Sequence, residues 1–87
     1  MLIGKVVGSV VSTRKNEKLI GSKFLIVEPL KSMAQKEKIV AIDNVGAGIG
    51  EVVLVATGSA ARLALLNPDA PVDAAIVGIV DEKQGNL

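Results

Sequence analysis

Apolar positions along the chain fall into short runs separated by polar, glycine-marked or proline-marked breaks, a spacing that predicts strands rather than long helices. From Leu2 to Val11 the run LIGKVVGSVV reads as one strand. Strict alternation puts Leu2, Gly4, Val6, Gly8 and Val10 on one face and Ile3, Lys5, Val7, Ser9 and Val11 on the other. Both faces are largely apolar, and Gly4 and Gly8 share a face where a strand can bend or another backbone can approach, as at barrel corners. Residues Ser12 to Ser22 form a polar, basic connection around Leu19 and Ile20. The second strand runs from Lys23 to Glu28, and Pro29, which has no N–H to donate, stops it. The charged stretch Lys31 to Lys38 is expected to be a solvent-facing loop, followed by a third strand from Ile39 to Asp43.

Gly46, Gly48 and Gly50 alternate in VGAGIG, a tight connection into a fourth strand from Glu51 to Ala56. That strand is apolar on both faces, so it needs the barrel interior on one side and a helix or a neighbouring subunit on the other. Thr57-Gly58 breaks it. Ser59 is expected to cap a short helix through Leu66, with Leu63 and Leu66 on one side, and Asn67-Pro68 ends it. A last strand runs from Ala74 to Val80, with Gly78 as a candidate bulge. The inventory predicts a mainly β fold, a small five-stranded OB-like β-barrel with one short α-helix between the fourth and fifth strands. With no internal repeat, linker or low-complexity segment, residues 1–87 read as a single domain.

Composition sharpens this picture. A chain of 87 residues that is 49% hydrophobic, with mean hydropathy +0.49, has more apolar material than a small monomer can hide, because so short a domain buries only roughly 60 to 65% of its unfolded surface. Some of it must face a partner. No apolar run nears the roughly 20 residues that span a bilayer, and the first residues lack the pattern of a signal peptide, so a soluble, intracellular chain with no membrane partner is expected.

Charge and chemistry remove further classes. The net charge of +1 is too mild to signal a polyanion partner. Its distribution is uneven: residues 1–43 carry eight basic against four acidic side chains, a balance of +4, and residues 44–87 carry two against five, a balance of −3. Such opposed charge can steer one subunit onto the next, and it equally fits solvated loops that happen to differ. Cysteine and histidine are both absent, which removes thiolate chemistry, the commonest metal ligand and the side chain that most readily exchanges protons near neutral pH. Gly46-Ala47-Gly48-Ile49-Gly50 has the spacing G-x-G-x-G, whereas a dinucleotide site needs G-x-G-x-x-G opening a helix, and Glu51 would repel a pyrophosphate. Its structural meaning is a close approach of backbones. Asp69, Asp73, Asp81 and Glu82 lie in or near turns, where surface carboxylates are common, and so small a chain offers little wall for a substrate cleft. No catalytic residue, cofactor or metal site is expected. Single-stranded nucleic acid is disfavoured as well, since Phe24 is the one aromatic available for base stacking beside Arg14, Lys15 and Lys18.

Read together, Met1 to Lys15 (MLIGKVVGSVVSTRK), Val45 to Gly58 (VGAGIGEVVLVATG), Ser59 to Arg62 (SAAR) and Ala70 to Asp81 (APVDAAIVGIVD) closely resemble the EutN/CcmL family of bacterial microcompartment vertex proteins. The resemblance is specific because four separate segments recur at matching spacing. It implies a homopentamer that occupies the vertices of a polyhedral protein shell in the cytoplasm, beside hexameric shell proteins of the same microcompartment. By the same analogy Gly46, Ala47, Gly48, Gly50 and Glu51 lie near subunit contacts or the central pore, and the loop Ser12, Thr13, Arg14 and Lys15 lies on an exposed ring surface. Two other readings remain open at this point, a ring-forming co-chaperonin-like barrel and an OB-type nucleic-acid-binding module.

Overall fold

Among the described residues five strands close on themselves in the order β1-β2-β3-β5-β4, with β1 at Leu2–Val10, β2 at Lys23–Pro29, β3 at Ile39–Asp43, β4 at Val52–Thr57 and β5 at Ala74–Ile79, and with one short helix, α1, at Ser59–Ala64. The computed structural model describes residues 1–11, 22–65 and 71–81. The OB-like five-stranded barrel with a helix between its fourth and fifth strands is therefore the observed architecture. Neighbouring strands are antiparallel except β3 and β5, whose parallel ladder pairs only Ile42 with Ala75 and Asp43 with Ile76.

Inward-facing positions follow the alternation of the strands. Leu2 and Val6 of β1, Leu25 and Val27 of β2, Ala41 of β3, Val53 and Val55 of β4, and Ala74 and Ile76 of β5 form one buried cluster, with Met33 and Ile39 packed against it. All are aliphatic or small. Each fully buried Val, Leu or Ile contributes on the order of 1.5 to 3 kcal/mol. The helix packs on the outside against β4 and β5, meeting them through buried Ala61. This covers part of the second apolar face that β4 was expected to need hidden.

Several local expectations are corrected. A bulge at Val7 sets Val6 opposite Val27 but Gly8 opposite Ile26, so Gly4 and Gly8 do not share a face: the inserted residue flips the alternation. The second bulge falls on Val77, one residue before Gly78, because Gly78 pairs with Leu54 and Ile76 with Val55. Pro29 is the last residue of β2 rather than the residue after it, paired with Gly4 at a strand end where a missing N–H costs little. Strand ends elsewhere move by one residue: β1 stops at Val10, β4 starts at Val52 and reaches Thr57, and β5 stops at Ile79. Gly58, not Ser59, is the N-cap of α1, and no side chain caps it. The helix ends at Ala64 with Leu65 as its C-cap, and Leu63 is exposed. Leu66, Asn67 and Pro68 lie outside the described residues.

Gly4 shows why the barrel needs a missing side chain. A Cβ there would sit 2.6 Å from both the Glu28 carbonyl oxygen and Val27 Cγ1, so β1 and β2 can approach this closely only at glycine. Gly4→Ala is expected to lower stability by about 1 to 3 kcal/mol through overpacking. Gly78→Ala, whose Cβ would meet nothing within 4 Å, is expected to change it by less than about 0.5 kcal/mol. Urea unfolding of the two variants side by side checks the difference.

Candidate functional site

The five glycine-loop residues marked in the sequence, Gly46, Ala47, Gly48, Gly50 and Glu51, occupy one connection between β3 and β4, and the structure brings them together as a tightly bonded loop. At its base lies Asp43, the last residue of β3, with its side chain only 1% exposed. Asp43 Oδ1 accepts the Val45 N–H at 3.0 Å and Oδ2 accepts the Ala47 N–H at 3.0 Å. Bonds from an ionised carboxylate to backbone N–H groups are among the stronger kinds, and this local pattern is why Asp favours turns over regular structure. From the neighbouring strand, Lys23 Nζ donates to the Ala47 carbonyl at 2.9 Å and stands 3.7 Å from Asp43 Oδ2. Both the N–H and the C=O of Ala47 are thus held, and Ala47 itself is fully buried.

The far end of the loop is fixed to β1. The Gly50 N–H donates to the Val6 carbonyl at 2.8 Å, and the Val6 N–H donates to the Glu51 carbonyl at 2.9 Å. Glu51 was expected to open β4; instead its side chain turns back and Oε1 accepts the Gly48 N–H at 2.7 Å. Gly46 and Gly50 carry φ of +86° and +93°, which side-chain-bearing residues rarely adopt. Two large apolar side chains of the loop face outward: Val45 is 43% and Ile49 68% exposed. Sequence reading missed Asp43 and Lys23 as parts of this site. The available signal was an Asp at a strand end directly before a glycine-rich turn, two and four residues ahead of Val45 and Ala47.

The second predicted set, Ser12, Thr13, Arg14 and Lys15, lies outside the described residues. Elsewhere, the helix connection is tied down by Arg62 Nη1, which donates to the Val72 carbonyl at 3.0 Å, and by the Gly58 N–H, which donates to the Asp73 carbonyl at 2.8 Å. A shallow cleft of about 180 Å³ runs beside the β3–β5 seam, lined by Phe24, Val40, Ile42, Val72 and Ala74 with Asp73 as its one carboxylate. Nothing in it pairs a nucleophile with a base. Among the described residues no group of three potential metal ligands comes together, and no helix is long and apolar enough to cross a membrane.

Fold and site together define a class: a small closed OB-like barrel with a tightly hydrogen-bonded β3–β4 loop that carries exposed aliphatic side chains. A family model described as "Ethanolamine utilisation protein EutN/carboxysome" matches residues 1–81, and the chain belongs to this EutN/CcmL family. It is 49% identical over 83 residues to the bacterial microcompartment shell vertex protein GrpN of Rhodospirillum rubrum, a match covering 93% of each chain. It is 51% identical over 83 residues to the carboxysome shell vertex protein CcmL of a Synechocystis species, covering 93% of this chain and 83% of the relative. The solved structure of the pentameric microcompartment shell protein GrpN from Rhodospirillum rubrum superposes with a TM-score of 0.81 at 49% identity, covering 93% of this chain and 94% of that one.

The left-handed backbone of the loop makes its own test. Gly50→Ala is expected to destabilise the protein by about 1 to 2 kcal/mol, the order of forcing a side chain into positive φ. Gly48→Ala, at an ordinary φ and with its Cβ 3.4 Å from a flexible Glu51 carboxylate oxygen, is expected to cost less than half of that. Thermal unfolding followed by circular dichroism reads both.

Proposed function

We propose that this chain is a non-enzymatic structural protein of a bacterial microcompartment shell, that it assembles as a homopentamer, and that the pentamer occupies the shell's vertices in the cytoplasm. The observation that carries this reading is the 49% identity to a shell vertex protein along 93% of both chains, which leaves little of either molecule unaccounted for. Physical reasoning supports it from two sides. Hexagonal tiles alone form flat sheets or tubes, so a closed polyhedron needs fivefold units at its corners, built from a heterologous interface repeated by rotation. This barrel, in turn, leaves large aliphatic side chains outside its core, among them Val40, Val45, Ile49, Leu63 and Ile79, and burying such groups against identical copies is what an obligate ring does.

Within this reading Gly46, Ala47, Gly48, Gly50 and Glu51 lie at the contact between neighbouring subunits, with Ile49 of the same loop and the adjoining Val45 as its apolar contacts, and the Ser12 to Lys15 segment lies on an exposed face of the ring. The outer edges of the pentamer meet hexameric shell proteins. Neither nucleic acid nor membrane enters the proposal, and neither a co-chaperonin role nor an oligonucleotide-binding role is favoured by a particular feature of the molecule.

Native mass spectrometry of the purified chain at micromolar concentration tests the proposal directly. The expected species is about five times the 8.9 kDa chain, and a stable monomer would overturn the reading. Ile49→Asp, which places a charge in the proposed contact without touching the core, is expected to shift the population to monomer, because desolvating an unpaired carboxylate costs several kcal/mol.

A further inference from the structure

We infer that Asp43 is the positioning residue for ring assembly: its buried carboxylate, with Lys23, fixes the 44–50 loop before any neighbour arrives, so that Val45 and Ile49 meet the next copy already in place. The inference rests on the ring reading above and deepens it by assigning the control of that contact to a residue that does not itself reach the surface.

A carboxylate is an expensive thing to bury, and inward positions of this barrel are otherwise filled by aliphatic or small residues. Strand pairing does not call for it: Asp43 lies opposite Lys23 on one side and Ile76 on the other, places that an alanine or valine would fill. The acceptor oxygens of Asp43 instead go to Val45 and Ala47, two N–H groups of the same loop. Lys23 reaches over from β2 to hold the carbonyl of Ala47, so the two side chains hold the peptide groups on both sides of one residue. Between this grip and the Gly50–Val6 bond at the other end only Gly48 and Ile49 remain, and Val45, the loop's other large apolar residue, is itself held through its N–H by Asp43. Binding is weakened by the entropy of ordering loops and side chains at the interface, and a loop ordered in the monomer avoids much of it. Asp43 thus acts through the loop backbone and not through contact with the partner.

The test compares the full-length protein with Asp43→Ala, Asp43→Asn, Lys23→Met and Ile49→Ser. The monomer–ring midpoint is read from a dilution series by sedimentation velocity, and the amide exchange of Val45 and Ala47 is read by NMR. Asp43→Ala is expected to keep the barrel's circular dichroism, lose protection at those two amides and raise the midpoint at least tenfold. Asp43→Asn, which keeps one acceptor oxygen, is expected to fall between it and the wild type. Ile49→Ser is expected to raise the midpoint while both amides stay protected, separating lost contact from lost positioning. Should Asp43→Ala fail to fold, Lys23→Met carries the test, with a several-fold rise in midpoint and weaker protection at Ala47 expected. A folded Asp43→Ala, or failing that a Lys23→Met, that assembles like the wild type overturns the inference alone. A wild type that stays monomeric throughout overturns the ring reading and this inference with it.

Discussion

Closure of the barrel hangs on a short seam, and most of the molecule's other features follow from keeping that seam shut. The antiparallel ladders are long, but the parallel ladder of β3 with β5 pairs only two residues on each side. Parallel pairs need a crossover connection and are slightly less stable per residue than antiparallel ones. Here the crossover is β4 followed by α1. Its return into β5 is pinned just before the seam by the bonds of Gly58 to Asp73 and of Arg62 to Val72. On the other side, Asp43 is at once the last residue of the closing ladder and the first anchor of the glycine loop. The same few residues therefore close the barrel and shape the glycine loop beside it.

The small bore of a five-stranded barrel explains the choice of core residues. Val, Leu, Ile and Ala fill it, and the only aromatic, Phe24, sits next to Leu25 on the opposite side of β2, paired with Ile42 and Val10. Outside, alanines do related work: Ala56 of β4, Ala61 of α1 and Ala75 of β5 are all buried, and small side chains let a one-and-a-half-turn helix lie close on the sheet. A core made this economically leaves a large aliphatic remainder. Ile49, Leu63 and Val40 are more than half exposed, and among the described residues no buried polar side-chain atom lacks a partner. Among the described residues the buried polar side chains are satisfied within one chain, while large aliphatic side chains stay outside the core.

Much of the fold was legible in the sequence because strand alternation, Pro29 and the glycine breaks are local signals. Every strand and the helix fall within a residue or two of where the apolar runs place them. The bulges were harder, since a run such as LIGKVVGSVV is apolar in either register, and only the pairing of Val6 with Val27 and Gly8 with Ile26 reveals that Val7 is the inserted residue. The cap of α1 was misread because Ser59 is the commoner capping type, whereas the backbone turns at Gly58. The loop was found by its glycines, but its organisers were not. Lys23 and Asp43 are twenty residues apart and become neighbours only through the β2–β3 register. A lysine that opens a strand and an aspartate that closes one look like ordinary polar ends until that pairing is known.

A contact surface built from backbone has a different logic from one built from long side chains. Lysine, glutamate or arginine at an interface must each be ordered on binding, and exposed ion pairs give little in return. In the 44–50 loop the backbone is held by Asp43, Lys23, Glu51 and Val6, and its large exposed apolar groups are Val45, with a β-branched side chain that has few rotamers to lose, and Ile49, likewise β-branched. In a ring each contact recurs at every subunit boundary, so a fixed saving per contact is multiplied around the axis, while any slack in the loop is multiplied as well. Under the proposal that this loop meets the next copy, a buried acid at its foot would set the geometry at every boundary without occupying any of them.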